Sequence, residues 1–599
     1  MKYLRLRSMS PCALALLVMT ASAMASNSNA YCGKGDVWLG GASDGPAQLP
    51  QRCIYTDLSG TPSPGAVTVV PAGASVQTAL NAAKCGDTLE LTAGASYSSF
   101  TLPAKGCDAG HWITIRTSAP DSALPPEDSR INPSYAGVPS LPGRPPFSGG
   151  SSNVMAVVVG HRSAAAISAP KTGVANFYRL GPGLEITRTQ GSGITYELVH
   201  LANADHIILD RDWIHGSPLV EETDNGVGVG GSNYVAVINS YMNDFKCIAL
   251  KGACTDAKDI AGGDQLWTHG EGAWKAYNNF LEAAGENILH GGALFGNQTP
   301  LDLEYRANHF FKPQMWRTCT LGVNCYIVKN LLEFKNASRI LVEGNRFEGS
   351  WGGYSQAGFA ILFTPRGAWA NDDNITVRYN YVSHVAGLMS MWATRTCNHA
   401  YAPGNKCPTQ WVDSGSAGSW SVHDMLFDDV DPFTYLGGGS MQMGSQFQVN
   451  PPLHDVKFDH ITAVTKGTHI FSLFVEPSNP QPQMGPFQYT NSIAIAGKFN
   501  IWSTGGNNPR VKDGFPLVTF TQCFTTNNVT DNLIIGWKSS QPPWPASNKF
   551  PASASSVFVN FQFFGGDYHV LAPYKNAGTD GKALGADIDT INLLLQNVN

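Results

Sequence analysis

Charge is scarce in this sequence. Asp, Glu, Lys and Arg make up 14% of the 599 residues, the net charge is -6, and the 39 Lys and Arg nowhere gather into a tract. Binding to a phosphate backbone needs clustered cations, so nucleic acid is not an expected partner. A long apolar run is missing too: the stretch from Ala13 to Ala21 is too short to cross a bilayer, and no membrane association is expected. There is no Cys-x-x-Cys and no close Cys/His cluster, which argues against a structural zinc centre. Helical periodicity is rare after the first hundred residues.

What is present begins with an export signal. Lys2, Arg5 and Arg7 precede the apolar run, and Ala21-Ser22-Ala23 and Ala23-Met24-Ala25 supply small-residue cleavage sites, so residues 1–25 are expected to be removed. Cys12 lies inside the run without a Leu-x-Gly-Cys context, so a lipid anchor is not expected. A secreted or periplasmic protein follows, and the cysteines agree. Ten of the remaining eleven fall into close neighbours, Cys32 with Cys53, Cys85 with Cys107, Cys247 with Cys254, Cys319 with Cys325 and Cys397 with Cys407, leaving Cys523 over. Such spacing suits loop-stapling disulfides in an oxidising compartment.

A chain of this length would ordinarily divide into several domains, unless it repeats. It does repeat. "HIILDRDWIHG" at 206, "YVAVINSYMND" at 234, "AWKAYNNFLEA" at 273, "LDLEYRANHFF" at 301, "RILVEGNRFEG" at 339, "NITVRYNYVSH" at 374, "SWSVHDMLFDD" at 419, "HDVKFDHITAV" at 454 and "FQYTNSIAIAG" at 487 start 28 to 45 residues apart. Each alternates apolar and polar residues as a half-buried strand does, then presents an Asn or Asp before a second apolar group. Asn and Asp tolerate left-handed backbone and bond to nearby amides, so they suit a tight corner. Asp212, Asn239, Asn279, Asn308, Asn345, Asn380, Asp459 and Asn491 are expected to stack as a structural ladder, with Asp424 a poorer fit.

Shorter strands lie between: "YELVHL" at 196, "NILHGG" at 287, "NLLEFK" at 330, "GFAILFTPR" at 358, "LMSMW" at 388 and "IFSLF" at 470. Two or three strands per repeat without helices predict an all-β, single-stranded right-handed parallel β-helix. The pattern resembles the secreted bacterial β-helix proteins of the pectate-lyase-like superfamily. "GASVQTALNAAKCGDTLEL", residues 73 to 91, reads as a short amphipathic helix with Val76, Leu80 and Ala83 on one face, a cap over the open N-terminal end of the core. Residues 580 to 589 and "TINLLLQ" read as the closing segment. The expected division is therefore a signal at 1–25, a Cys-stapled leader at 26–65 and one β-helix domain at 66–599, with a monomer expected.

Fold does not give function, so outward-facing residues must decide. In "NLLEFK", alternation sends Leu332 and Phe334 inward and Glu333 and Lys335 outward. The preceding coil offers Glu282, Glu286, Asn287 and His290, the next ends on Arg366, and Lys312 lies between. Trp316, Trp351, Trp369 and Trp392 flank the same coils and suit stacking on sugar rings. This patch is similar to that of polysaccharide lyase family six, the alginate lyase and chondroitinase B group. That family shows Asn-Lys-Ser and Arg-His-Gly, where this chain has Lys335-Asn336 and Arg366-Gly367. The resemblance implies Lys335 as base, Arg366 as acid or charge neutraliser, and Glu286, Asn287 and Glu333 as ligands of a Ca²⁺ ion, with Glu333 beside the chemistry. Lys312, His290, Trp351 and Trp316 would face substrate, although His290 also suits a packed role. Eliminating a glycosidic oxygen from a uronate requires a base and a neutralised carboxylate, which these residue types supply.

The expected function is thus a secreted polysaccharide lyase acting on a uronic-acid-containing chain. A glycoside hydrolase using Glu286 with Glu333, or Asp256 with Asp264, is the alternative. A non-catalytic carbohydrate-binding or adhesive solenoid is the third reading, and a plain solvated Glu–Lys face is the bland one.

Overall fold

The computed structural model describes residues 45–598, apart from 151, 163, 220, 249–253, 264–270, 293–297, 319–325, 354–355, 368–369, 398–410, 414, 446–451, 475–482 and 504–513. The chain winds as a right-handed parallel β-helix with three strands in a typical coil. One coil runs through Thr195–His200, Ala204–Asp210 and Trp213–His215; the next through Thr223–Gly228, Ser232–Ile238 and Tyr241–Phe245. Strands equivalent to the first of each coil stack in a twelve-stranded sheet, and the other two rows form the larger sheet.

Registers are held coil after coil. Val199, Val227, Ile260, Ile288, Leu332, Ile361 and Met389 follow one another across the twelve-stranded sheet, all fully buried or nearly so. Aromatic stacks run beside them: Phe334 lies 5.8 Å from Phe363, and Phe310 lies 4.4 Å from Phe347. This single apolar column is the core.

The corner between the second and third strands uses two residues with separate tasks. The first takes left-handed backbone: Arg211, Asn239, Asn278, Ala307, Gly344, Tyr379, Asp424, His460, Asn491 and Asp531 all have φ between 50° and 62°. The second turns its side chain inward along the helix axis. Asn279 Nδ2 donates to Asn308 Oδ1 (3.0 Å), Asn308 Nδ2 to Asn345 Oδ1 (3.1 Å) and Asn345 Nδ2 to Asn380 Oδ1 (2.9 Å). Each Oδ1 also accepts the backbone N–H of the residue one coil before, at 2.8 to 3.0 Å. Asp212, Asn279, Asn308, Asn345 and Asn380 therefore occupy the expected ladder. Asn239 and Asn491 are displaced by one position: they take the left-handed place, and Ser240 and Ser492 stand in the ladder. Asp459 precedes the left-handed His460 and instead accepts from Thr490 and Asn491. Asp424 is itself left-handed, and the ladder place after it belongs to Met425, whose sulfur lies 3.3 Å from Asn380 Nδ2.

The ends are closed as amphipathic helices require. Val76–Ala82 is capped by Ser75, whose hydroxyl accepts from Thr78 N, and buries Val76 and Leu80 against the first coil. At the far end the helix Pro516–Cys523 does this work: Phe520 and Phe524 stack on Phe487 at 5.7 and 4.5 Å, with Trp544 behind. The stretch read as the closing segment lies elsewhere. Leu584, Ile588 and Ile591 pack on the flank against Leu426, Val464, Ile493 and Leu533, because those strands carry apolar residues on their outer face. Residues 45–61 form a matching strap along the larger sheet. Leu49 covers Leu341, Arg52 and Arg339 share Asp302 at 2.6 to 2.7 Å, and Arg179 bonds Thr56 O.

Cys85–Cys107 and Cys247–Cys254 are disulfide-bonded as expected, and Cys523 is free and buried, its thiol pushed up to about 12 by burial. Cys53 is disulfide-bonded too, and its expected partner Cys32 lies outside the described residues, as do Cys319, Cys325 and Cys407 of the other two expected pairs. No helix among the described residues is long and apolar enough to cross a membrane.

A ladder amide satisfies two neighbours at once, so its loss strands buried polar groups at about 1–3 kcal/mol apiece. Asn308→Ala should lower unfolding free energy by about 2–4 kcal/mol, read as a shifted urea midpoint at unchanged slope.

Candidate functional site

The outer face of the twelve-stranded sheet is floored by small residues. Gly228, Ala261, Gly262, Gly291 and Gly292 leave a depression of about 520 Å³ across the strands. Gly291 and Gly292 are obligatory here. Both have positive φ (84° and 108°), and a Cβ on Gly292 would stand 2.9 Å from the Lys335 side chain that packs over it.

Four cations converge on this groove: Lys258, Lys329, Lys335 and Arg366. Lys335 directly follows Leu332–Phe334, its N–H bound to His290 O and its carbonyl accepting from Arg366 N at 3.0 Å, which sets the Lys335 and Arg366 loops side by side. Lys335 Nζ lies 3.3 Å from Glu333 Oε1, and the Thr364 hydroxyl donates to the same oxygen at 2.6 Å. Burial opposes the charge on Glu333, but Lys335, Thr364 and Arg366 outweigh it and hold the carboxyl below its usual range. The register places Leu289 and Leu362 on either side of Glu333 on the outer face, which keeps it from solvent.

Asp256 and Glu286 form the second half of the site. They are neighbours, and neither carboxyl oxygen of Glu286 finds a hydrogen-bond partner in its buried place. Glu286 is wholly buried, and that burial, with the adjacent Asp256 charge, pushes it well above the ordinary glutamate value. Burial would raise Asp256 too, yet Lys258, the Glu286 proton, Lys329 and Lys335 hold it far below the usual range. Lys329 is ion-paired to Asp256 and stands 3.6 Å from Glu286, and Lys258 stands 3.7 Å from Asp256. Burial weakens the charge on both lysines, but the acidic surroundings led by Asp256 prevail and keep Lys258 and Lys329 as ammonium ions.

The structure brings together Glu333, Lys335, Arg366 and Glu286 from the sequence reading, and it adds Asp256, Lys258 and Lys329. Five other expected residues are placed elsewhere. His290 faces inward: it shares parity with the core residue Ile288, lies between Trp274 and Phe334, bonds Tyr305 OH, and is pulled down to about 3 by burial. Lys312 is fully buried beneath the coil corner, donating to Ala283 O, Gly285 O and Asn287 Oδ1, so it does not reach substrate. Asn287 also turns inward, its Nδ2 bound to Asp259 and Leu281 O. Trp316 and Trp351 pack together with Tyr326 and Tyr435 in an apolar cluster beside the coil and are 6% and 5% exposed, which leaves no ring face for a sugar. Of the four tryptophans, Trp369 is outside the description. Trp392 is half-buried on the twelve-stranded sheet, 5.0 Å from Phe474.

The expected calcium ligands do not suit a cation. Asn287 Oδ1 is taken by Lys312, Glu286 faces Lys329 and Glu333 faces Lys335. Among the described residues, three ligand atoms converge only at Asp224, Cys247 and Cys254, where the two sulfurs are joined to each other.

At the N-terminal rim of the groove stands an exposed pair, Glu197 with His200. The hydrogen bond to Glu197 raises His200 above the ordinary imidazole value. Its NMR titration midpoint should lie above about 6.5 and return there in Glu197→Gln. His290 should stay neutral across the same titration.

The fold and groove define a parallel β-helix with a cationic surface cleft. No family model matches the chain, and no curated protein sequence matches it. Solved structures similar to it include an alginate lyase from Paenibacillus sp. strain FPU-7 (13% identity over 65% of this chain and 98% of that one, TM-score 0.32) and the PL6 family alginate lyase AlyGC (12%, 88% and 58%, TM-score 0.41). A family 28 exopolygalacturonase from Yersinia enterocolitica is also similar (10%, 78% of each chain, TM-score 0.30). At such identities these are likenesses of fold.

Proposed function

We propose that this protein is a polysaccharide lyase that cleaves a uronate-containing chain by β-elimination in the groove over Lys258–Gly262, Ile288–His290 and Leu332–Phe334. The observation that carries the reading is the division of labour among the groove cations. Lys258 and Lys329 are held as ammonium ions by Asp256, and Arg366 is exposed beside Lys335. These fixed charges suit a substrate carboxylate, whose neutralisation makes the adjacent C5 proton removable.

Lys335 is then the base, once its ammonium has passed a proton to solvent. Its amine takes the C5 proton, the freed electron pair forms the C4–C5 double bond, and the C4–O glycosidic bond breaks. The leaving oxygen collects a proton from the ammonium just formed on Lys335. Arg366 serves as hydrogen-bond donor and counter-charge, since a guanidinium does not give up its proton in proteins. Glu333, clamped by Thr364, positions the Lys335 amine. No step runs through calcium.

The hydrolase alternative needs two carboxyls about 5–9.5 Å apart across a sugar. Of the expected pairs, Glu286 and Glu333 are both buried, which leaves neither free to flank a sugar, and Asp264, the partner of Asp256, lies outside the described residues.

Lys335→Ala should lower kcat on a polyuronate by about 10²–10⁴-fold, followed by the ultraviolet absorbance of the unsaturated product. New reducing ends without that absorbance would sink the lyase reading in favour of hydrolysis. Chelation of divalent cations should leave the wild-type rate within about twofold, because the neutralising charges belong to side chains; a loss reversed by added Ca²⁺ would overturn that assignment.

A further inference from the structure

The groove does not stop at Glu197 and His200. Both residues also line a second depression, of about 950 Å³, where the same sheet continues through Ile167–Ser168 to Phe100–Thr101 at the N-terminal end. The two are lobes of one cleft hinged on this pair. From Phe100–Thr101 to Leu332–Phe334 the sheet advances six strands, roughly 29 Å at about 4.8 Å per strand, a distance that only several linked sugar rings cover.

The chemistry of the second lobe differs from that of the first. Arg162 and Lys171 are exposed at its wall, and among the described residues neither side chain pairs with a carboxylate. In the central lobe, by contrast, Lys258, Lys329 and Lys335 are all tied to buried or half-buried acids. The acid lining the second lobe is Glu197, and it is already occupied by His200. Tyr196 is 42% exposed beside it, and Ala165, Ala169 and Ala202 keep the floor shallow. Unpaired cations, an aromatic face and a small-residue floor suit holding an anionic sugar chain without reacting with it.

We propose that this N-terminal lobe binds further uronate residues of the chain being cleaved, Arg162 and Lys171 meeting their carboxylates and Tyr196 a ring face, so that the enzyme selects for chain length. This rests on the uronate substrate proposed above. Because these contacts lie far from the bond that breaks, they act on binding rather than on the chemical step.

The test compares Arg162→Ala/Lys171→Ala with wild type on a long polyuronate and on its trisaccharide, and separately measures affinity of the long chain for Lys335→Ala with and without the double substitution. The ratio of kcat/KM on polymer to that on trisaccharide should fall about tenfold, through KM. An unchanged ratio with active enzyme overturns the lobe assignment and leaves the lyase reading standing. If wild type yields no unsaturated product but the double substitution still weakens polyuronate binding about tenfold, the lobe stands and the lyase reading fails. Tyr196→Ala should shift the same ratio in the same direction; equal losses on long and short substrates would mean a fault in folding or chemistry and would also overturn the proposal.

Discussion

Everything in this molecule hangs on the corner that each coil repeats. A left-handed residue turns the chain, and the next residue sends an amide or hydroxyl along the axis to the coil before it. That bond fixes the height of one coil over the next, and so fixes which residues of distant segments stand side by side. The division matters energetically. A buried side-chain amide must find all its partners, and here the neighbouring coils supply them; a terminal coil cannot, so Asn532 turns to Asn548 for the last link.

The site is an outcome of that register. Asp256, Glu286, Lys329 and Lys335 lie up to 79 residues apart in sequence, yet the sheet brings them within hydrogen-bond or ion-pair reach, directly or through one another. Their electrostatics follow from depth. The deepest acid, Glu286, keeps a proton because burial and its neighbour forbid a second charge, and Asp256 at the mouth keeps the charge that the lysines stabilise. The Asp256 charge therefore fixes the ammonium state of Lys258 and Lys329.

How far this was legible in the sequence depends on the length scale. Period-two alternation is a property of the strand backbone, so Leu332 and Phe334 point inward and Glu333 and Lys335 outward as read. The same rule pairs His290 with Ile288 on the inner face, which is the packed role that the residue also suits. The ladder was visible as an Asn or Asp near each corner, but composition does not separate the residue that bends from the residue that bonds; Asn239 and Asn491 slip by one for that reason. Lys258 and Lys329 were not found because the segments joining their strands vary in length, and spacing along such a chain carries no information about lateral neighbours.

Scarcity of charge gives the cationic cleft its meaning. In a chain that is 14% charged and net negative, several buried or half-buried arginines are spent on holding structure: Arg179 on Asp210, Arg144 on Glu282, Arg306 and Arg378 on Glu343, Arg52 and Arg339 on Asp302. Those pairs pin straps and corners on the larger sheet and its flanks. The twelve-stranded sheet is treated differently: Lys258, Lys329 and Lys335 line its groove and lean on Asp256 and Glu333, of which Glu333 is buried and Asp256, with 25% of its side chain exposed, is more open than its two lysines. Cations outnumber acids in the lining, with Lys258, Lys329, Lys335 and Arg366 against Asp256 and Glu197, so even with these pairings the cleft turns a net positive field toward whatever anion enters it.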